Sequence, residues 1–268
     1  MAGEERGGFV WYELMTTDID AAREFYRAVV GWEIAEEGSA PGGEVDYRMI
    51  GRSEGGFAGG ALVLSQEMRD GGAEPGWFGY VHTPDVDASA ARMVEAGGTI
   101  FIEPHSMEGV GRMAFLTDPQ GAPIYLMDPA PPPDQPDAQS DVFSYDKAQH
   151  VRWNELQTSD PTAAIALYGE LLGWRQDGAM PMGELGEYQF LYHGDGMIGA
   201  VMPLMPDMHG SRWQYYFGVE DIDRAAQAVT DGGGSLDGGV HEIPGGEYSV
   251  HCIDPQGAAF GLVGPRKE

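Results

Sequence analysis

The chain has 268 residues, of which 42% are hydrophobic and 22% charged, a balance that suits folded domains with full cores and excludes extended disorder. Its 43 acidic and 15 basic residues give a formal net charge of −28, a field that repels nucleic-acid phosphates and anionic membrane surfaces, accommodates a neutral or cationic partner and also serves solubility. The single Cys252 excludes an intramolecular disulfide; with no apolar segment in Met1–Gly8 and no run of about 18 apolar residues, the expectation is a cytoplasmic protein with no membrane or nucleic-acid partner.

In chain order, Trp11 to Met15 alternate as a strand. Asp18 is placed to cap a helix over about 19–30, with Ile19, Ala22, Phe25, Tyr26 and Val29 on its apolar face and Gly31 at its end. Short strands are expected near 32–36, 45–51 and 57–64. The pattern restarts at Trp77 to His82, with Asp85 before a helix that ends in Gly97-Gly98 and strands near 99–103, 112–117 and 122–127. The proline-rich, acidic stretch DPAPPPDQPDAQSD at 128–141 then reads as extended and exposed.

Beyond it the whole pattern repeats. WYELMTTDIDAAREFYRAVVGW at 11–32 aligns without gaps with WNELQTSDPTAAIALYGELLGW at 153–174, and TDPQGA at 117–122 answers IDPQGA at 253–258. Two copies of one domain are therefore expected, at 9–128 and 150–264, joined by a linker at 129–149, with each copy reading as βαβββ twice. Phe25, Tyr26, Trp32 and Tyr168 read as core rings, and Cys252 as a buried strand residue.

The strand–Asp–helix–FY–GW segment at 11–32, its echo at 153–174 and the two DPQG turns resemble the vicinal oxygen chelate superfamily, which holds glyoxalases, bleomycin and fosfomycin resistance proteins and extradiol dioxygenases. The tandem arrangement resembles actinobacterial glyoxalase-like antigens and antibiotic-pathway hydroxylase-like proteins. The resemblance implies an α+β fold in which paired βαβββ modules form a cup-shaped mixed sheet around a divalent metal held by His, Glu or Gln. On that alignment the first-strand ligand positions hold Trp11 and Trp153, the second-module positions Phe78 and Gln214, and the last-strand positions Tyr125 and Gly261. The remaining strands read GFAGGAL and GMIGAVM. Only Gln214 could coordinate a cation, and a divalent ion needs several ligands. Neither metal nor other cofactor is expected.

If Trp11 and Phe78 face a ligand, alternation places Glu13, Met15, Tyr80 and His82 on the same faces. Glu13 with His82, aided by Tyr80, forms a candidate acid–base set. The alternative is that Glu13 bonds backbone or an arginine while His82 is a satisfied strand-end residue. Trp11, Phe78, Tyr125 and Met127 are candidate ligand walls in the first copy; Trp153, Glu155, Gln214 and Tyr216 are their counterparts in the second, where Gly218 replaces His82. The remaining histidines, His193, His209, His241 and His251, read as exposed or hydrogen-bonded. Flat apolar walls in an acidic protein suit a small aromatic or cationic metabolite. The expected function is metal-independent binding of such a molecule by a monomer or homodimer. The alternatives are a metal-free isomerase, cyclase or hydroxylase-like enzyme using Glu13 and His82, and a metal-dependent lyase or dioxygenase.

Overall fold

A computed structural model describes residues 6–38, 45–131, 138–206 and 208–267. Residues 132–137 of the expected linker and Met1–Glu5 lie outside the described residues. Four βαβββ modules follow one another. The first holds β1 (Phe9–Thr16), α1 (Ile19–Val29), β2 (Glu33–Ile34), β3 (Tyr47–Gly51) and β4 (Phe57–Val63), and a short helix α2 (Gln66–Asp70) follows it. The second holds β5 (Gly76–His82), α3 (Val86–Glu95), β6 (Thr99–Met107), β7 (Gly111–Thr117) and β8 (Pro123–Pro129). The third holds β9 (Val151–Thr158), α4 (Pro161–Leu172), β10 (Arg175–Pro181), β11 (Glu187–His193) and β12 (Gly196–Pro203). The fourth holds β13 (Arg212–Gly218), α5 (Ile222–Asp231), β14 (Ser235–Glu242), β15 (Tyr248–Ile253) and β16 (Ala259–Gly264).

Each module helix starts on an aspartate whose carboxylate accepts an otherwise unbonded N–H of the first turn: Asp18 from Ala21, Asp85 from Ala88, Asp160 from Ala163 and Asp221 from Asp223 and Arg224. At the other end Gly31 and Gly173 adopt φ of +89° and +73°, which is why glycine precedes tryptophan in both copies. The sequence reading missed α2, although Ser65 caps it through Met68 N–H. It also cut β6 short, because the strand runs on to Met107 with register shifts opposite β7.

The strands order as β2-β3-β4-β1-β5-β8-β7-β6 and β10-β11-β12-β9-β13-β16-β15-β14, two eight-stranded mixed sheets. Within each module the first strand runs parallel to the last: Glu13 opposite Gly60, Tyr80 opposite Tyr125, Glu155 opposite Ala200 and Tyr216 opposite Gly261. No helix among the described residues is long and apolar enough to cross a membrane.

The chain divides into two compact units, and each takes one module from either half. The first unit holds the described residues of Met1–Val10, Gly79–Ser140 and Trp153–Gln214; the second holds those of Trp11–Phe78, Asp141–Arg152 and Tyr215–Glu268. The repeated residues explain this pairing. In the second unit the α1 residue Tyr26 is fully buried, and its hydroxyl donates to Asp254 Oδ2 at 3.0 Å while accepting from Trp77 Nε1 at 2.8 Å. Trp32, Trp77, Phe217 and Phe260 pack around its ring, with centroids 5.4–6.4 Å from it. The first unit repeats the device: Tyr168 of α4 donates to Asp118 Oδ2 at 3.2 Å, and Phe9, Trp174 and Trp213 complete the cluster. The other oxygen of each aspartate closes the DPQG turn by accepting two backbone N–H groups, from Gln120 and Ala122 or from Gln256 and Ala258. The described end of the expected linker is also tied down. Val142 is buried, Phe143 bridges Val151, and Asp141 pairs with the buried Arg52.

Candidate functional site

In the first unit, β9 and β11 bring a tryptophan, a tyrosine and a carboxylate into line. Trp153 Nε1 donates to the Tyr188 hydroxyl at 2.7 Å, and that hydroxyl donates to Glu155 Oε2 at 2.7 Å. Gln157 Nε2 donates to Glu155 Oε1 at 2.7 Å, and Arg212 Nε of β13 donates to Gln157 Oε1 at 3.2 Å. Glu155 and Gln157 are only 3% and 1% exposed, so the carboxylate is held among protein donors rather than water. Burial, the Glu155 charge and the hydrogen bond to it all push the Tyr188 phenol well above its ordinary range, so it keeps its proton and serves as a donor. The Trp153 and Tyr188 rings lie parallel with centroids 6.5 Å apart, and Phe190 stands edge-on to both.

The second unit carries a partial counterpart. Trp11 Nε1 donates to the Tyr47 hydroxyl at 2.7 Å, and the Tyr47 ring lies over Gly60, where a Cβ would meet the phenol oxygen at 2.1 Å. Glu13, opposite Gly60, is 3% exposed, and Phe57 stands 6.4 Å from the Trp11 ring. Phe78 is half-buried on β5. In the fourth module the Tyr216 ring covers Gly261, and its hydroxyl shares a 2.6 Å hydrogen bond with His251 Nε2.

A row of aromatic rings crosses β5, β8, β7 and β6 of the first unit. Tyr80 and Tyr125 stack at 4.0 Å and 1°, Tyr125 and Phe115 at 4.4 Å and 23°, and Phe115 meets Phe101 at 5.6 Å and 37°. The row loosens as it leaves the core: Tyr80 and Tyr125 are buried, Phe115 is half-buried and Phe101 is 61% exposed. The bulge in β6, where the register slips between Ile100 and Ile102, sets Phe101 beside Phe115 and shows how an extra residue can re-aim a side chain. His82 and Met127 are opposite one another next to this row, both buried, with His82 Nε2 3.6 Å from Asp128 Oδ1.

Of the residues singled out from the sequence, the structure thus groups Tyr80 with Tyr125, His82 with Met127, and Trp153 with Glu155 through Tyr188. Trp11, Glu13, Phe78 and Tyr216 belong to the other unit. Tyr47, Tyr188, Phe101 and Phe115 were missed, while His251, read as exposed or hydrogen-bonded, shares its bond with Tyr216. The alternation of Tyr188 with Phe190 and the phenylalanines of β6 and β7 were the available signals.

The positions where the resemblance implies metal ligands carry donors that do not fit the group. Trp11, Trp153, Phe78 and Tyr125 are aromatic, Gly261 offers no side chain and Gln214 alone carries a ligand oxygen, and among the described residues no three His, Cys, Asp or Glu are grouped so as to hold an ion. Cys252 is buried, and burial pushes its thiol up to about 12, which removes it as a thiolate ligand or nucleophile at neutral pH.

Comparison with known proteins places this geometry. The chain is 32% identical over 257 residues to "Putative glyoxylase CFP32" of Mycobacterium tuberculosis, covering 95% of this chain and 94% of the relative. It is 27% identical over 281 residues to "Anthracycline biosynthesis protein DnrV" of Streptomyces peucetius, covering 96% and 93%. The Mn(II)-bound glyoxalase from Novosphingobium aromaticivorans shares the fold with a TM-score of 0.62 at 14% identity, over 98% of this chain and 84% of that one. The family model matches twice, at residues 8–126 and 147–262. The chain therefore belongs to the Glyoxalase/Bleomycin resistance protein/Dioxygenase superfamily.

Proposed function

We propose that the protein binds a small, planar aromatic metabolite and does so without a divalent metal. The carrying observation is the ring row Tyr80–Tyr125–Phe115–Phe101, which is tightly stacked in the core and ends loosely at an exposed phenylalanine. A flat ligand extends such a stack by entering beside the exposed, tilted Phe101, where ring–ring contact adds about 0.5–1.5 kcal/mol beyond area burial. The unsuitable donor set at the family's metal positions supports metal independence. The relative named for anthracycline biosynthesis supports a polycyclic ligand.

A titration with 2-hydroxyanthraquinone, which is planar and lacks adjacent chelating oxygens, tests this reading. Phe101→Ala and Phe115→Ala should each weaken binding by roughly 3–10-fold, following the ring-contact magnitude, with the fold retained. Unchanged affinity in both variants would remove the row as the binding surface.

A second reading, a metal-free enzyme with His82 as its acid–base group, is supported by one observation: His82 is buried and its Nδ1 finds no partner among the described residues. In that case His82→Gln abolishes turnover while ligand binding persists. A cytoplasmic setting goes with either reading, for which the lone buried cysteine is the support.

A further inference from the structure

We propose that Glu155 and Gln214 form a recognition site for the ammonium group of an arylalkyl amine. The proposal deepens the small-molecule reading above, but rests on residues other than the ring row.

Gln214 is 2% exposed, and its Oε1 finds no hydrogen-bond partner among the described residues. Buried acceptors in folded proteins are nearly always met, so an unmet one marks a place where a further group donates. The direction in which Gln214 points follows from its neighbours. Arg212 Nε reaches Gln157 Oε1, so those two side chains share a face of the neighbouring strands β9 and β13. Ser159 N–H bonds Ser211 Oγ, so the strands run antiparallel: numbering falls along β9 as it rises along β13. One step of alternation from Arg212 to Gln214, and one from Gln157 to Glu155, therefore lead the same way on the same face. The Gln214 side chain is thereby placed on the same face as the buried carboxylate.

What such a place recognises is set by its chemistry. An amide oxygen and a carboxylate are both acceptors, so the complementary group is a donor, and the carboxylate selects a cation over a neutral hydroxyl. Trp153, Tyr188 and Phe190 supply ring faces that attract a cation and pack against an aryl group. The net charge of −28 favours the approach of a cation and opposes that of an anion.

The test uses the full chain with three matched probes, benzylamine, benzyl alcohol and benzoate, by titration calorimetry. Benzylamine should bind most tightly, benzyl alcohol more weakly, and benzoate not measurably. Gln214→Leu, which removes the unmet acceptor with little change of volume, should weaken benzylamine by about 5–100-fold while raising the melting temperature of the ligand-free protein. Glu155→Gln should weaken benzylamine and leave benzyl alcohol nearly unchanged. Should Glu155→Gln not fold, Gln214→Leu still decides. Equal affinity for benzoate, unchanged benzylamine affinity in Gln214→Leu, or a lower melting temperature in that variant would overturn the proposal; the last would mean that Gln214 already serves an internal bond. The Phe101 and Phe115 variants probed with 2-hydroxyanthraquinone report separately on the ring row, so failure of one reading is distinguishable from failure of the other.

Discussion

Tyr26 and Asp254 show how much rests on single polar atoms in the core. The Tyr26 hydroxyl stands between Trp77 Nε1 and Asp254 Oδ2 with no exposure to water. Removing it leaves two buried groups unmet, so Tyr26→Phe should cost about 1–3 kcal/mol in a denaturant-melt comparison. Burial raises the Asp254 carboxyl, with its backbone and Tyr26 hydrogen bonds opposing that shift only in part. A carboxyl whose folded pKa lies above its unfolded value of about 3.9 contributes stability that is fully present below the unfolded value and lost as pH rises through the folded one. Asp254→Asn keeps an acceptor for the turn and abolishes the titration, so its melting temperature should fall less than that of wild type as pH is raised from about 4 to 7. Parallel curves would contradict the shift. At this scale the sequence was most legible where a residue type has one strong use, as with the four capping aspartates. It was least legible where a role depends on a partner from another strand. Nothing local to Tyr188 or His251 announces Glu155 or Tyr216 as its partner.

Among elements, β4 and β12 make the clearest demand on composition. A Cβ on Gly199 would lie 1.8 Å from Asn154 O, and one on Gly59 would lie 2.1 Å from Tyr12 O. At these two positions the parallel partner strand passes too close for any side chain, which is the physical reason each of these strands keeps a glycine there. Gly199→Ala should therefore destabilise by about 1–3 kcal/mol or more through forced strand separation, measured by denaturant melts. Alternation and caps located most of the strands and the module helices. The bulge of β6 was not legible, because its extra residue is set by how β6 and β7 pair rather than by a local pattern, and with it Phe101 was missed as a candidate.

For the whole molecule, the repeat disclosed two equivalent halves but could not say which modules associate. Both halves carry the same helix tyrosine and the same DPQG aspartate, so Tyr26 pairs as plausibly with Asp118 as with Asp254 on paper; the structure joins it to Asp254, and Tyr168 to Asp118. Each compact unit thus needs both halves. Residues 1–140 expressed alone would leave Tyr26, Trp32 and Trp77 without Phe217 and Phe260, and should be unstable or self-associate, while mixing with residues 141–268 should restore a cooperative melt. A half that melts cooperatively as a monomer would contradict this.

The family membership leaves open whether the fold works here with or without a metal, and the aromatic and glycine residues at the ligand positions support the proposal that it works without one. The most direct test is a calorimetric titration of 2-hydroxyanthraquinone into protein dialysed against EDTA, repeated after addition of excess Mn²⁺. The account predicts the same dissociation constant in both; binding that appears only with the metal present would contradict it.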